Sequence, residues 1–517
     1  MKNPMSKLAL AASLYAAATV AQTGCSQVLV PANAAPVVAS GWQAQLVAGG
    51  LTKPRNIAFD STGALLVVES GKGISRHRFD DNGGTCLSSN HSHMLIEMTE
   101  VSEPVGRLSV ASAVLTFQLN HGIALSDDGN TLYASSAEAV FAWTYNAQGG
   151  SVSGTPRTIV ANMSNSDLVT RTLLMSAHQP GMLVVSRGSA EESAAQAEVL
   201  SNGLSQIRAF NLTDLAADAA PYHFGNDGLV LGLGLRNSVG VGEHPVTGGI
   251  YAVENSVDGV ERNGVDVHEN NPGEELNFFG YLNGTATENQ GANFGYPHCF
   301  AVWEVDEIPE NEGLEVGKQF AIQENSTLRD ETCAEKYVPP RLTFPAHYAP
   351  MDIKFAEGGE TAYITFRGSC KFFLDILPPF TRLVTDKDTV DRSSPVGYRI
   401  SSVAFGAVTG EPVVAADSHD SLTDILTNKD NTVCPDNCFR PVGLAFDDEG
   451  RLWMSSDSTG EIYVLQRTGE DGEGRFVQPG GGDGGEDENA AAGLWARETM
   501  VLGPSVAVAV AAWLAVF

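Results

Sequence analysis

Short apolar runs broken by Gly and Asp, rather than helical stripes, dominate the middle of the chain. One pattern occurs six times: an apolar run, a turn bearing Asp or Gly, and a second apolar run closing on a polar residue. It reads KPRNIAFDSTGALLVVES from Lys53, LNHGIALSDDGNTLYASS from Leu119 and RTLLMSAHQPGMLVVSRGS from Arg171. It returns as RNSVGVGEHPVTGGIYAVENS from Arg236, APMDIKFAEGGETAYITFRGS from Ala349 and RPVGLAFDDEGRLWMSSDS from Arg440. Such runs, with Gly or Asp at the turn, are hairpin chemistry. Few stretches carry the three-and-four apolar spacing of a helix. Units of roughly 60–70 residues, with two clear central strands and room for two outer ones, describe propeller blades. The predicted fold is all-β: a six-bladed β-propeller over 41–467, with long inter-strand loop insertions at 256–340 and 368–430. A large β-sandwich or a pair of β domains would not recur six times.

The repeat also predicts a site. In a propeller every inner strand starts at the same end of the central channel, and the antiparallel second strand returns to that end. The residues at the inner-strand starts are Arg55, His121, Arg171, Arg236 with Asn237, His347 and Arg440. Those at the second-strand ends are Glu69, Ser135, Arg187, Glu254 with Asn255, Arg367, and Ser456 with Asp457. An arginine-rich ring at one channel mouth suits a ligand with several carboxylates or phosphates, which the guanidinium fork pairs bidentately. For each arginine taken singly, a bridge between neighbouring blades is the alternative role.

Composition narrows the setting. The formal charge of −31, with only 31 Lys and Arg in 517 residues, argues against a nucleic-acid or anionic-membrane partner. Lys2 and Lys7 precede the apolar run Leu8 to Ala21, which reads as a secretory signal peptide over residues 1–21. A lipoprotein signal ending at Cys25 is the alternative, with Gln22 and Thr23 unfavourable before it. Residues 468–488 form an acidic, Gly-rich linker, and 489–517 run from Asn489-Ala490-Ala491 through a spacer to an apolar tail. That order is the GPI-attachment pattern. A plain transmembrane anchor is the alternative, but the tail lacks flanking basic residues. Seven cysteines with no paired CxxC motifs predict accessory disulfides, Cys434 with Cys438 and then Cys299 with Cys333. Sequons start at Asn90, Asn162, Asn211, Asn283 and Asn325, as in a glycosylated, cell-surface exoprotein.

The ordered motifs LNHGIA from Leu119, GLRNSVG from Gly234, YAVENS from Tyr251, GEELNF from Gly273, NFGYP from Asn293, HYAPMD from His347 and ITFRGS from Ile364 carry a resemblance. Over 41–467 the chain resembles the pyrroloquinoline quinone (PQQ)-dependent sugar dehydrogenase superfamily, most closely the fungal secreted pyranose dehydrogenases and their sorbosone-dehydrogenase relatives. The resemblance implies a six-bladed propeller with PQQ across the channel mouth. It implies cofactor contacts from Arg236 and Asn237, and from Arg367 and Arg440, with Arg55 a further candidate. Ca²⁺ would lie on the main-chain carbonyls of Ser256 and Val257, beside Glu254 and Asn255. The chemistry is coherent: arginines neutralise the three PQQ carboxylates, Ca²⁺ prefers oxygen and acts as a Lewis acid, and a general base takes the sugar hydroxyl proton.

One departure stands out. Glucose-oxidising relatives place a His in the loop entering the third repeat, where this chain reads Ser166-Asp167-Leu168-Val169-Thr170-Arg171. The base candidates are then His347, which is preferred, His121 and Asp167. The expected activity is oxidation of the anomeric or a ring hydroxyl of a pyranose or 2-keto sugar. Electrons would pass to an external acceptor such as a cytochrome or copper oxidase, and the partners would include a small sugar and a GPI lipid. The rival readings are a Ca²⁺-dependent lactonase or esterase propeller and a non-catalytic glycan- or protein-binding propeller. His91 and His93 read as loop residues, Trp303 as a sugar-stacking residue or a hydrophobic plug, and 304–312 as a solvated loop.

Overall fold

The computed structural model describes residues 25, 27–98, 118–323, 325, 327–369, 394–469 and 472–479. The leader, most of the linker, the apolar tail and Cys370 lie outside these residues. Six largely antiparallel blades, each of four or five strands, follow the six repeats. Their inner strands are Pro54–Phe59, Leu119–Leu125, Leu173–Met175, Ser238–Glu243, Pro350–Phe355 and Pro441–Phe446, defining blades 1 to 6 in order. Each inner strand packs against the next, and the sixth against the first, so the sheets close into a ring.

A blade in a ring is covered on both faces by its neighbours. Its strands therefore read as continuous apolar runs rather than alternations. Leu65–Glu69, Gly249–Glu254 and Leu452–Ser456 are buried along their whole length. The core is correspondingly divided into one hydrophobic cluster per blade junction. Leu66, Val68 and Ile74 meet Leu119 and Ile123 between blades 1 and 2, and Tyr251 and Phe278 meet Phe355 and Phe366 between blades 4 and 5. Val239, Met351 and Val442 form a small apolar cluster of their own.

Close approach of the inner strands demands small residues. A Cβ on Gly122 would lie 2.2 Å from the Arg171 carbonyl oxygen, on Gly240 2.7 Å from Asp352 Cα, and on Gly443 2.6 Å from the Arg55 carbonyl oxygen. The same repeat position carries Asn56, Thr172 and Asp352 in the alternate blades. Two of these reach across: the Thr172 hydroxyl donates to the Val239 carbonyl, and Asp352 accepts from Leu444 N at 2.8 Å. Second-strand hydroxyls add further bridges, from Ser135 to the Arg171 carbonyl, Thr365 to Val442 and Ser455 to Arg55, each 2.6 Å.

Blade 6 is completed from the other end of the chain. Trp42–Ala48 pairs antiparallel with Glu461–Arg467, from Trp42 opposite Arg467. Arg475–Phe476, inside the stretch expected to be linker, adds a parallel strand beside Gln43–Ala44. Both long insertions hold blade strands: Glu274–Tyr281 belongs to blade 4, and Arg399–Ala404 with Thr423–Thr427 to blade 5. His91 and His93 lie on the strand Leu87–Glu97 rather than in a loop. As a polar edge strand it lacks the apolar run that marks the others. The expected disulfides form, and Cys25 pairs with Cys86.

Gly443→Ala should destabilise the fold by about 1–3 kcal/mol through backbone overpacking. Gly49→Ala, with nothing within 4 Å of the added carbon, should change stability by no more than about 0.5 kcal/mol. Urea unfolding of the two variants checks the contrast.

Candidate active site at the channel mouth

Pairing between inner and second strands slips at the mouth in five blades, at Pro54/Ile57, Leu119/Ile123, Ser238/Gly240, Pro350/Asp352 and Pro441/Leu444. Such irregularities re-aim side chains. Two groups of predicted residues result.

The first group is cationic. Arg55 Nη1 and Arg367 Nε both donate to Asp457 Oδ2, at 2.7 and 2.9 Å. Arg440 donates to the carbonyls of Arg367 and Gly368 at 3.1 and 2.8 Å and lies over the Tyr398 ring. A cavity of about 670 Å³ opens here, lined among others by Lys53, Arg55, Asn120, Thr170, Arg367 and Asp457. Burial, partly offset by Asp457, lowers the Arg55 pKa, and the charges of Arg367 and Arg440 lower it further. Two guanidiniums thus share one carboxylate, with the charge of a third acting on Arg55, a field that favours an anion. His121 is fully buried and accepts from Arg55 Nε at Nδ1, 3.2 Å away. Burial first, then Arg55 and Lys354, hold its pKa well below the usual imidazole range. The ring is therefore neutral with its proton on Nε2, an atom buried without a hydrogen-bond partner among the described residues.

The second group is anionic and built from blade 4. Arg236 donates through its backbone N–H to Glu254 at 2.5 Å and through Nη1 to the Ser256 carbonyl at 2.6 Å. Glu274 spans two loops, accepting from Ser256 N at 2.8 Å and Ala349 N at 3.0 Å. The Asn255 backbone N–H donates to the Asn237 carbonyl at 3.0 Å, and its amide side chain to Pro350 at 2.6 Å. Val257 is half-buried against the apolar cluster of the blade 4 excursion. Burial pushes Glu274 and Glu275 up to about 7. Burial and the charge of Glu275 raise Glu254 well above the usual carboxylate range. Among the described residues no three His, Cys, Asp or Glu side chains form a metal-holding cluster.

His347, in the left-handed region at φ 63, donates to the His268 carbonyl at 2.6 Å and faces Asp258 at 2.9 Å. These two contacts fix the ring at the mouth beside the Glu254–Asp258 turn. Arg171 and Arg187, expected in the ligand ring, spend their guanidiniums on backbone carbonyls. Arg171 holds those of Met163, Leu168 and Thr170, and Arg187 those of Asn162, Ser164 and Asn202. They shape the loop that carries Asp167, whose neighbours Val169 and Thr170 line the cavity. Sequence reasoning did not single out Glu274, although it lies in the GEELNF motif, or Asp258, which no motif marks.

A family model described as TrAA12-like matches residues 36–468. The chain belongs to the TrAA12-like family. The match takes in the inner strands of all six blades and hence the whole mouth. A PQQ-dependent sugar dehydrogenase of Hypocrea jecorina is 48% identical over 470 residues, covering 90% of this chain and 97% of that protein. A PQQ-dependent pyranose dehydrogenase of Coprinopsis cinerea is 32% identical over 456 residues, 86% of this chain and 55% of that protein. The calcium structure of a Trichoderma reesei carbohydrate-active enzyme of family AA12 aligns with a TM-score of 0.75 at 49% identity, covering 86% of this chain and 100% of the other. The holo form of the C. cinerea pyranose dehydrogenase PQQ domain aligns with a TM-score of 0.73 at 30% identity over 86% and 100% of the two chains.

Inside this TrAA12-like mouth the neutral state of His121 has a consequence for stability. Its folded pKa is depressed, so unfolding frees an imidazole that takes up a proton below about pH 6.5. The contribution is present above that pH and is lost as pH falls. His121→Gln should flatten the decline in melting temperature on going from about pH 7 to pH 5, and parallel profiles for variant and wild type would contradict the assignment.

Proposed function

We propose that the chain is a PQQ-dependent sugar dehydrogenase that oxidises a hydroxyl of a pyranose or 2-keto sugar and passes electrons to an external acceptor. The observation that carries this reading is the pair Arg55 and Arg367 lining one cavity and sharing Asp457, with the charge of Arg440 close behind them. A polycarboxylate of PQQ type fits that excess of positive charge. The oxygen-only donors around Ser256, a carbonyl flanked by Glu254 and Glu274, fit a hard cation such as Ca²⁺. The arginines that line the cavity favour an anionic cofactor over the carboxylate-lined metal site of a lactonase there.

When bound, PQQ supplies a two-electron acceptor and Ca²⁺ a Lewis acid that polarises it. The chain's own residues do the rest. Arg55, Arg367 and Arg440 would neutralise the cofactor carboxylates, with Asp457 fixing the first two in place. His121 supports Arg55 from beneath by accepting its Nε–H. Asp167, on the loop whose Val169 and Thr170 line the cavity, is the residue assigned to take the sugar hydroxyl proton. The Arg171 and Arg187 contacts hold its loop against the cavity.

The surface suits an exported glycoprotein. The sequon Asn90, Asn162, Asn283 and Asn325 are exposed, Asn211 is half-buried, and three disulfides fit an oxidising compartment. No helix among the described residues is long and apolar enough to cross a membrane. Cell-surface attachment through a GPI lipid completes the reading and rests on the sequence of the tail.

Protein reconstituted with PQQ and Ca²⁺ should oxidise a sugar from a broad panel in the presence of an artificial acceptor, and silence across the panel would refute the assignment. Arg440→Ala should weaken PQQ binding by about 10–100-fold, the loss of a charge-assisted pair. Asp167→Asn should leave PQQ affinity intact while lowering kcat by about 10²–10⁴-fold. Calorimetry and steady-state kinetics separate the two effects.

A further inference from the structure

The Ser256 carbonyl, the oxygen assigned to the metal, carries a cation of the protein's own. Arg236 Nη1 donates to it at 2.6 Å, while the Arg236 backbone N–H holds Glu254. The surroundings explain why a cation is needed. Glu254, Glu274 and Glu275 are all buried, and Asp258 adds a fourth carboxylate that feels both Arg236 and His347. Burying carboxylates is costly unless positive charge or hydrogen-bond donors compensate. Arg236 donates into this group, and His347 stands beside Asp258. The turn from Glu254 to Asp258 is thus held by a guanidinium at the place where a divalent cation would sit.

A guanidinium and a calcium ion at one carbonyl repel strongly, because a partly buried site screens them poorly. One must leave as the other enters. We propose that Arg236 is the resident counter-cation of the calcium site: it holds the Ser256 carbonyl while the metal is out and releases it when the metal binds. The freed guanidinium becomes available to an anionic cofactor, so that calcium entry prepares the cofactor site. This makes Arg236 a positioning residue that couples two binding events. The inference rests on the calcium and PQQ assignments above and adds an exchange to them.

The test is calcium titration of the full-length, cofactor-free protein by calorimetry, in wild type, Arg236→Gln and Arg236→Lys. Removing the resident charge should tighten calcium binding by about tenfold or more, whereas Arg236→Lys, which keeps the charge, should stay near wild type. Calcium should also raise PQQ affinity in wild type, and this gain should shrink in Arg236→Gln. Should Arg236→Gln fail to fold, arginine-selective ¹⁵N NMR of the wild type reads the same event. The Arg236 side-chain signal, identified by its loss in Arg236→Lys, should shift on calcium addition alone. Calcium affinity that is unchanged or weaker in a folded Arg236→Gln, or an unmoved Arg236 signal, overturns the exchange while leaving the calcium site standing. Failure of wild type to take up calcium, with or without PQQ, sinks the calcium assignment itself and the exchange with it.

Discussion

Everything in this molecule depends on closing the ring at small radius. Six sheets fill a circle only if their inner strands approach to backbone contact, and Gly122, Gly240 and Gly443 provide that approach in alternate blades. The blades between them carry side chains at the same position, and Thr172 and Asp352 bond across to the next strand. Closure also needs a strand from the far end of the chain, since Trp42–Ala48 completes the blade that ends at Arg467. Because each blade is covered on both faces, its strands are apolar runs and its core is split among the junctions. Polar residues are thereby driven to strand ends, which is why a channel mouth gathers them.

At that mouth charge is sorted by blade. Arg55 and Arg367, from blades 1 and 5, share Asp457 of blade 6, and Arg440 of blade 6 holds the backbone at Arg367 and Gly368. Glu254, Glu274 and Glu275 come from blade 4 and stand around one carbonyl turn. A propeller makes this separation inexpensive, because each blade contributes its own loop ends without disturbing the others. The TrAA12-like mouth therefore presents an anion-seeking half and a cation-seeking half side by side, the arrangement required by a ligand pair made of a polycarboxylate and a hard metal ion.

Much of this was legible beforehand. The six repeats predicted the six blades, and counting strand starts and ends placed Arg55, Arg236, Arg367, Arg440 and His121 at one mouth. Where the surroundings of a residue were not legible, the cause is shared. Arg171 and Arg187 occupy ring positions yet bind backbone carbonyls of a loop (residues 162–170) whose path no repeat specifies. His347 stands between Asp258 and the His268 carbonyl, which come from an insertion with no counterpart in the other blades, so its surroundings could not be read from the repeat. His91 and His93 sit on a strand that lacks an apolar run because it is the edge of its sheet.

The amino-acid sequence by itself determined the repeat, and with it the fold class, the blade count and the identity of the residues at the mouth. These follow from local chemistry, from apolar runs, turn residues and glycines whose spacing is visible along the chain. The tertiary structure alone decided what each mouth residue does. A guanidinium takes on a ligand, a carboxylate or a backbone carbonyl according to which partner comes within about 3 Å. Those partners, such as Asp457 for Arg55 or Ser256 for Arg236, lie on other strands or loops, where only the closed ring brings them.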